Sequence, residues 1–177
     1  RLLAAGEYAV PELLRVVLAD GNANLRILAR EVIVDIGRQA VSPLNAALSK
    51  VDDQSQVVIC EMLGRIGWGH AAPYLLKLAR ESSTPEPVRE AAMRAYNQIG
   101  GGTGNVSNDF ANLARRYFDN EVSLVAFPTE ETNNVWSYDA FVGLVPTPVV
   151  TDIYNEVMAM QAAEAALRAD ASNSRAL

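Results

Sequence analysis

Three stretches decide how this chain folds: Ala9-Val10-Pro11-Glu12-Leu13, Ala40-Val41-Ser42-Pro43-Leu44 and Ala71-Ala72-Pro73-Tyr74-Leu75. They recur every 31 residues, so Leu13, Leu44 and Leu75 form one column and Val17, Leu48 and Ala79 another. Working outward, each stretch follows an Ala-Gly or Ile-Gly pair, at Ala5-Gly6, Ile36-Gly37 and Ile66-Gly67; Ile99-Gly100 closes the series. Glycine just beyond an apolar periodic run stops a helix, because it accepts a left-handed backbone without a side-chain clash. Proline near the start of the next run suits a first helical turn, where no amide hydrogen is needed. Each unit therefore reads as two helices.

The helices before the glycines fall in register on that stop. Leu28, Val58 and Ala91 align, as do Val32, Met62 and Ala95, and Ile36, Ile66 and Ile99, and helical spacing puts them on one face. Helix starts are expected at Thr84-Pro85-Glu86, with Thr84 as cap and Pro85 at the first helical position, and at Asn22 or Asn24 and Asp53 in the other units.

With its Ala-Val-Pro-x-Leu-Leu second helix and a first helix ending in Ile-Gly, the chain resembles HEAT-like repeats. The likeness is to the short bacterial kind also found in phycobilisome lyase subunits. Arg26 and Arg89 match the arginine early in the first helix of that repeat, and Gln56 departs from it. The resemblance covers residues 1–100 and implies a mainly α fold, an α-solenoid of helical hairpins. The physics agrees, since one hairpin cannot bury its apolar faces alone and neighbours must stack. Two functions are implied by the resemblance alone: a bilin lyase or chaperone-like HEAT-repeat protein, and a HEAT-like DNA-repair glycosylase. The chain opens at Arg1, within what reads as a helix, and so reads as a piece of a longer protein.

Residues 101–177 follow a different pattern and are expected to form a C-terminal cap. Gly100-Gly101-Gly102-Thr103-Gly104 reads as a linker or tight loop. Phe110, Leu113, Ala114, Tyr117 and Phe118 predict a short amphipathic helix begun by Ser107 or Asn108, with spacing like the first helix of a tetratricopeptide repeat. Residues 122–127 and 135–138 predict two strands of a β-hairpin, joined by 128–134. A loop over 143–148 then leads, with Thr147 as cap and Pro148 at the first turn, into a long helix to about Asp170, carrying Val149, Ile153, Val157, Met160 and Leu167 near one side. Ala159, Ala163 and Ala166 match the small-residue spacing of a tetratricopeptide second helix, although Ala171 stands where proline is usual. So short a hairpin is unstable alone and must pack on the helices, with Phe127, Trp136 and Tyr138 as its packing surface.

Charge and composition narrow the function classes. Residues 1–100 hold 11 basic and 11 acidic side chains, and residues 101–177 hold 4 and 10, so the whole net charge of −6 lies in the second part. Neither part gathers the basic surface that displaces counterions from phosphates, which disfavours nucleic acid and the glycosylase reading. No run of apolar residues is long enough to span a membrane and no leader-like segment opens the chain, so a soluble segment of unassigned compartment is expected. The single cysteine, Cys60, sits in an apolar helical stretch and reads as a small buried thiol.

Catalytic chemistry needs a nucleophile, a base and an orienting group, or metal ligands at suitable spacing. The single histidine, His70, is placed at a helix–helix turn and reads as exposed or capping; Glu130-Glu131 reads as a solvated pair. One His and one Cys do not make a zinc site, and no phosphate-binding glycine motif is present. The expectation is a non-enzymatic chain with no cofactor and no metal.

What remains is surface. In stacked hairpins the second helices line the concave side, where Glu12, Pro43 and Tyr74 form one rung series and Arg15, Ala46 and Lys77 another. Aromatic groups beside cations are enriched at binding hot spots. The candidate partner-binding residues are accordingly Glu12, Arg15, Trp68, Tyr74, Lys77 and Trp136, on a protein-interaction scaffold whose partner is another chain or another domain of the same protein.

Overall fold

The computed structural model describes residues 2–176. It is mainly helical, with one two-stranded antiparallel sheet. In chain order the elements are α1 (Leu2–Ala5), α2 (Val10–Leu18), α3 (Ala23–Ile36), α4 (Val41–Leu48), α5 (Asp53–Ile66), α6 (Ala72–Arg80), α7 (Glu86–Gln98) and α8 (Val106–Phe118). The strands β1 (Thr132–Asp139) and β2 (Gly143–Val150) and the helix α9 (Thr151–Ala169) follow.

The repeat register becomes a repeat of local structure. Short 3-10 turns at Gly6–Ala9, Gly37–Ala40 and Gly69–Ala71 introduce α2, α4 and α6. Gly37 and Gly67, the helix stops, carry φ of 70° and 73°, which a side chain would resist. Helix α2 lies on α3, α4 on α5 and α6 on α7, while α3, α5 and α7 lie side by side. Small residues set the α5–α7 approach, since a Cβ on Gly64 would stand 3.2 Å from the Ala95 Cα. The second-helix columns are buried throughout, with Val10, Leu13, Val17, Val41, Leu44, Leu48, Leu75 and Ala79 all in one core.

The first-helix columns are covered unevenly. Ala91, Met62 and Ala95 are buried, Val32, Val58 and the three isoleucines are half-buried, but Leu28 is 61% exposed, alongside exposed Leu25 and Ile27. Leu28 occupies the position that neighbouring helices cover in the later units.

Several helix starts differ from expectation. Asn22 does cap α3, accepting from the backbone N–H groups of Asn24 and Leu25. Asp52, not Asp53, caps α5, accepting from the Ser55 backbone N–H at 3.0 Å and its hydroxyl at 2.6 Å. Helix α7 begins after Pro85 with no side-chain cap, and Thr84 is buried. Asn105, rather than Ser107 or Asn108, caps α8 through the Asn108 N–H. In α5 and α8 the cap stands one to three residues before the expected one, because the apolar periodicity starts later than the helix, whereas the cap position of α7 is Pro85, one residue after the expected cap.

The hairpin is also displaced along the chain. Residues 122–124 form a 3-10 turn, and the strands pair Thr132 with Val150 through Asp139 with Gly143. The stretch expected to be a loop, 143–148, is therefore strand β2. Pro146 and Pro148 argue against a strand, but each strand of a two-stranded sheet has one unpaired edge where a missing N–H removes no ladder bond. The turn is set by the Asp139 carboxylate, which accepts from the backbone N–H groups of Phe141 and Val142 at 2.8 and 3.0 Å, and by Gly143 at φ 86°. Helix α9 starts at Thr151, and its buried side is Tyr154, Met158, Ala159, Ala162 and Ala166; Ile153 and Met160 from the expected stripe are exposed.

The C-terminal elements cover the second helices. Strand β1 packs on α4 and α9, β2 on α2, α4 and α9, and α8 on α6 and α9. Trp136 and Leu144 of the hairpin enter the same core as residues 9–96. Phe127 stacks on Tyr8, with ring centroids 5.9 Å apart. The glycine-rich loop is clasped by Asp109, which accepts from the Tyr96 hydroxyl at 2.8 Å and from the Thr103 backbone N–H and hydroxyl at 2.6 and 2.7 Å.

Candidate functional site

Where the C-terminal elements meet the second helices, polar groups are trapped in the seam. Glu7 lies in the 3-10 turn before α2 and is 1% exposed. Its carboxylate accepts from the Asn134 amide at 2.7 Å and the Trp136 indole N–H at 3.0 Å, across more than a hundred residues of sequence. Burial pushes its pKa above the ordinary range against the opposing effect of those two bonds. It ties the hairpin to the first unit. Asn133 does similar work on the next position of β1, bonding the Phe127 backbone from both ends of its amide and donating to the Thr151 hydroxyl at 2.9 Å.

Next to this clamp is a chamber of about 130 Å³ lined by Ser42, Asn45, Ala46, His70, Tyr74, Tyr117, Trp136, Met158 and Gln161. His70 is 3% exposed, which overturns its reading as a surface or capping residue. The turn after Gly67 points it inward, and α8 then closes over it. Neither ring nitrogen has a protein hydrogen-bond partner among the described residues, and the same holds for Asn45 Oδ1. Burial, reinforced by the Arg116 and Arg38 guanidinium groups and opposed by Glu121, pulls the His70 pKa down to about 3, so the ring is neutral at physiological pH. Burial likewise pushes the Tyr74 hydroxyl up to about 12.

The chamber adjoins an outer cleft of about 430 Å³ between α4, α6 and α9. Asn45, Tyr74 and Gln161 line both and so form the doorway. Lys77 and Arg168 stand at the outer rim with Glu81 and Glu164, and Arg168 is already paired with Glu164 at 2.9 Å.

The structure thus brings together three of the six residues singled out from sequence. Tyr74 and Lys77 line the outer cleft, and Trp136 lines the chamber. Tyr74 is not an open rung of a concave ladder: it packs against all three apolar cores and makes an edge contact with Phe110 at 5.1 Å. Pro43, from the same rung series, is buried. Trp68 is half-buried against the main core. Glu12 and Arg15 sit elsewhere, paired with each other at 2.5 Å on an open face where solvent screens most of their attraction. They line a groove of about 350 Å³ between α2 and the hairpin, with Leu14, Leu18, Tyr138 and Val142. Beside that groove Phe141 is 98% exposed and Val142 76% exposed.

Sequence reasoning missed Glu7, Asn45 and the inward face of His70. Nothing local marks a Glu in a Gly-Glu-Tyr turn as buried; what buries it arrives with β1.

Cys60 is buried as expected, and desolvation pushes its thiol up to about 12. Among the described residues no group of three His, Cys, Asp or Glu side chains is placed to hold a metal, and no helix is long and apolar enough to cross a membrane. Comparison of the chain with protein-family models, with curated proteins and with solved structures finds no match.

Proposed function

We propose that the chain is a non-enzymatic protein-interaction scaffold. In this reading residues 1–100 are a HEAT-like α-solenoid array and residues 101–177 its cap, within which α8 and α9 form a tetratricopeptide-like pair. The second-helix face that a solenoid would offer a partner is occupied by the chain's own hairpin, α8 and α9. The partner is then a protein that docks on what stays open.

One observation supports the docking point: Phe141 is 98% exposed on a turn whose backbone N–H groups at Phe141 and Val142 donate to the Asp139 carboxylate. An aromatic side chain has only two side-chain torsions to order on binding and is enriched at interface cores. The groove beside it, with Val142, Tyr138 and the Glu12–Arg15 pair, supplies apolar contacts and a polar margin.

The test is capture from native lysate with residues 1–177, followed by reconstitution with the purified partner and calorimetry on the parent and Phe141→Ser. The reading expects one specific partner whose affinity falls at least tenfold in the variant. Equal affinities would move the docking point away from the hairpin tip, and an empty capture would count against the scaffold.

A further inference from the structure

Asp20 is the one aspartate in the chain that precedes a glycine, and no asparagine precedes one. Asp20 and Gly21 lie in the link between α2 and α3, and both are exposed. Neither the Asp20 carboxylate nor the Gly21 backbone N–H has a hydrogen-bond or ion-pair partner among the described residues. Asp20 shares a shallow polar groove with Arg26 and Arg30 but pairs with neither. A Cβ on Gly21 would meet no atom within 4 Å, so the backbone there has open space beside it. Glycine also leaves its own nitrogen unshielded and its backbone free to turn.

We propose that Asp20 is a site of spontaneous covalent modification, the isomerisation of its peptide link to an isoaspartyl link through a cyclic imide. The Gly21 nitrogen bonds to the Asp20 Cγ. The carboxyl gives up its hydroxyl and the nitrogen its hydrogen, and the two leave as one water molecule. The five-membered imide then takes one water back at either carbonyl. Breaking the bond between nitrogen and Cγ restores aspartate. Breaking the bond between nitrogen and the main-chain carbonyl carbon leaves the chain running through Cγ, with a free carboxylate on Cα. Nothing is oxidised or reduced, and the mass is unchanged. The product carries one more backbone atom in the α2–α3 link, two residues before Asn24 receives its bond from the Asn22 cap.

The fold holds the other aspartates out of this reaction. Asp139 and Asp170 stand in turns, but each precedes an alanine and each carboxylate is occupied, the first by the Phe141 and Val142 N–H groups and the second by the Ser172 N–H and hydroxyl. Asp52 is engaged by the Ser55 N–H and hydroxyl as the α5 cap. Asp119 is paired with Arg115, and the N–H that follows it, on Asn120, donates to the Tyr117 carbonyl. Asp35, Asp53, Asp109 and Asp152 lie within helices, whose fixed backbone angles keep the next nitrogen away from the side-chain carboxyl.

The experiment ages the intact chain for several weeks in mildly acidic buffer made with ¹⁸O-water, folded and in parallel unfolded in urea. Tryptic peptides are then read by electron-transfer fragmentation, which separates isoaspartate from aspartate. In the folded chain isoaspartate should accumulate at residue 20 at least fivefold faster than at any other aspartate, carrying ¹⁸O from the reopened imide. Its rate there should match the unfolded rate within about twofold, while the other aspartates slow on folding. Gly21→Ala, checked by circular dichroism and its urea midpoint, should slow the reaction at least fivefold. A folded-state rate at Asp20 no higher than at Asp139 or Asp170, a rate more than tenfold below that of the unfolded chain, or isoaspartate without ¹⁸O would overturn the proposal. If Gly21→Ala fails to fold, the comparison of aspartates within the folded parent and the isotope label still decide it.

Discussion

Replacing Glu7 with alanine tests the seam that joins the two ends of this chain. The substitution leaves the Asn134 amide and the Trp136 indole N–H buried without an acceptor, and each such orphan costs about 1–3 kcal/mol. The carboxylate's own burial is unfavourable, as its raised pKa shows, and removing it returns part of that cost. Weighing the two, Glu7→Ala should lower the unfolding free energy by about 2–4 kcal/mol, a large share of the roughly 5–15 kcal/mol available to a domain. Urea titration followed by circular dichroism and by tryptophan fluorescence gives the number. A loss below about 1 kcal/mol would refute the reasoning, because it would mean that both donors find water or another acceptor without strain.

The pH dependence carries a sign that distinguishes this clamp from an ordinary salt bridge. Burial holds the Glu7 carboxyl above its usual 4.5, so the folded chain keeps a proton there that the unfolded chain has released. Its contribution to stability is full below pH 4.5 and declines as pH rises through the folded value. Glu7→Gln carries no such proton, so its stability should gain on the parent as pH rises from 4.5 toward neutrality. A parent that gains on the variant over that range would contradict the buried-carboxyl account.

Further outcomes follow from other buried groups. The His70 pKa is held near 3, against 6.5 in the unfolded chain, so its imidazole shifts should stay flat from pH 8 to 5. The chain should lose stability from this group as pH falls below 6.5, and an imidazole titrating near 6.5 in the native protein would contradict its burial. Cys60, buried with its thiol pushed up to about 12, should react with a disulfide reagent only as fast as the chain opens. Prompt native-state labelling would contradict the packing around α5. A Cβ on Gly102 would stand 2.6 Å from both Asp109 carboxylate oxygens, so Gly102→Ala should lower the urea midpoint, whereas Gly104→Ala, with open space around it but a φ of 75°, should act through backbone strain alone.

The helical half of the architecture was legible because its signal is periodic. Leu13, Leu44 and Leu75 recur at one spacing, and each is buried. Two caps were read one to three residues late, since Asp52 and Asn105 act from outside the apolar pattern, and two helix starts were read early, at Thr84 and Thr147. The hairpin was misplaced because two prolines in 143–148 outweighed the better signal, an Asp139 and a Gly143 bracketing a three-residue turn. The site was legible only in fragments. Tyr74 and Lys77 were found for their side-chain chemistry, but the second helices are covered by the hairpin over α2 and α4 and by α8 over α6, elements whose docking no local pattern announces, and Glu12, Arg15 and Lys77 alone of the ladder stay exposed. Glu7, Asn45 and His70 are polar residues made interior by segments that lie far along the chain, and burial of that kind is a property of the tertiary fold.

The measurement closest to the central proposal is hydrogen–deuterium exchange of the chain with and without its reconstituted partner. The account predicts new protection over residues 138–144 and along the α2 edge of the groove at 11–19, with the α8–α9 pair unchanged. Protection that falls on α8 and α9, or on the exposed Leu25 and Leu28 face of α3, with the hairpin tip exchanging as before, would contradict it.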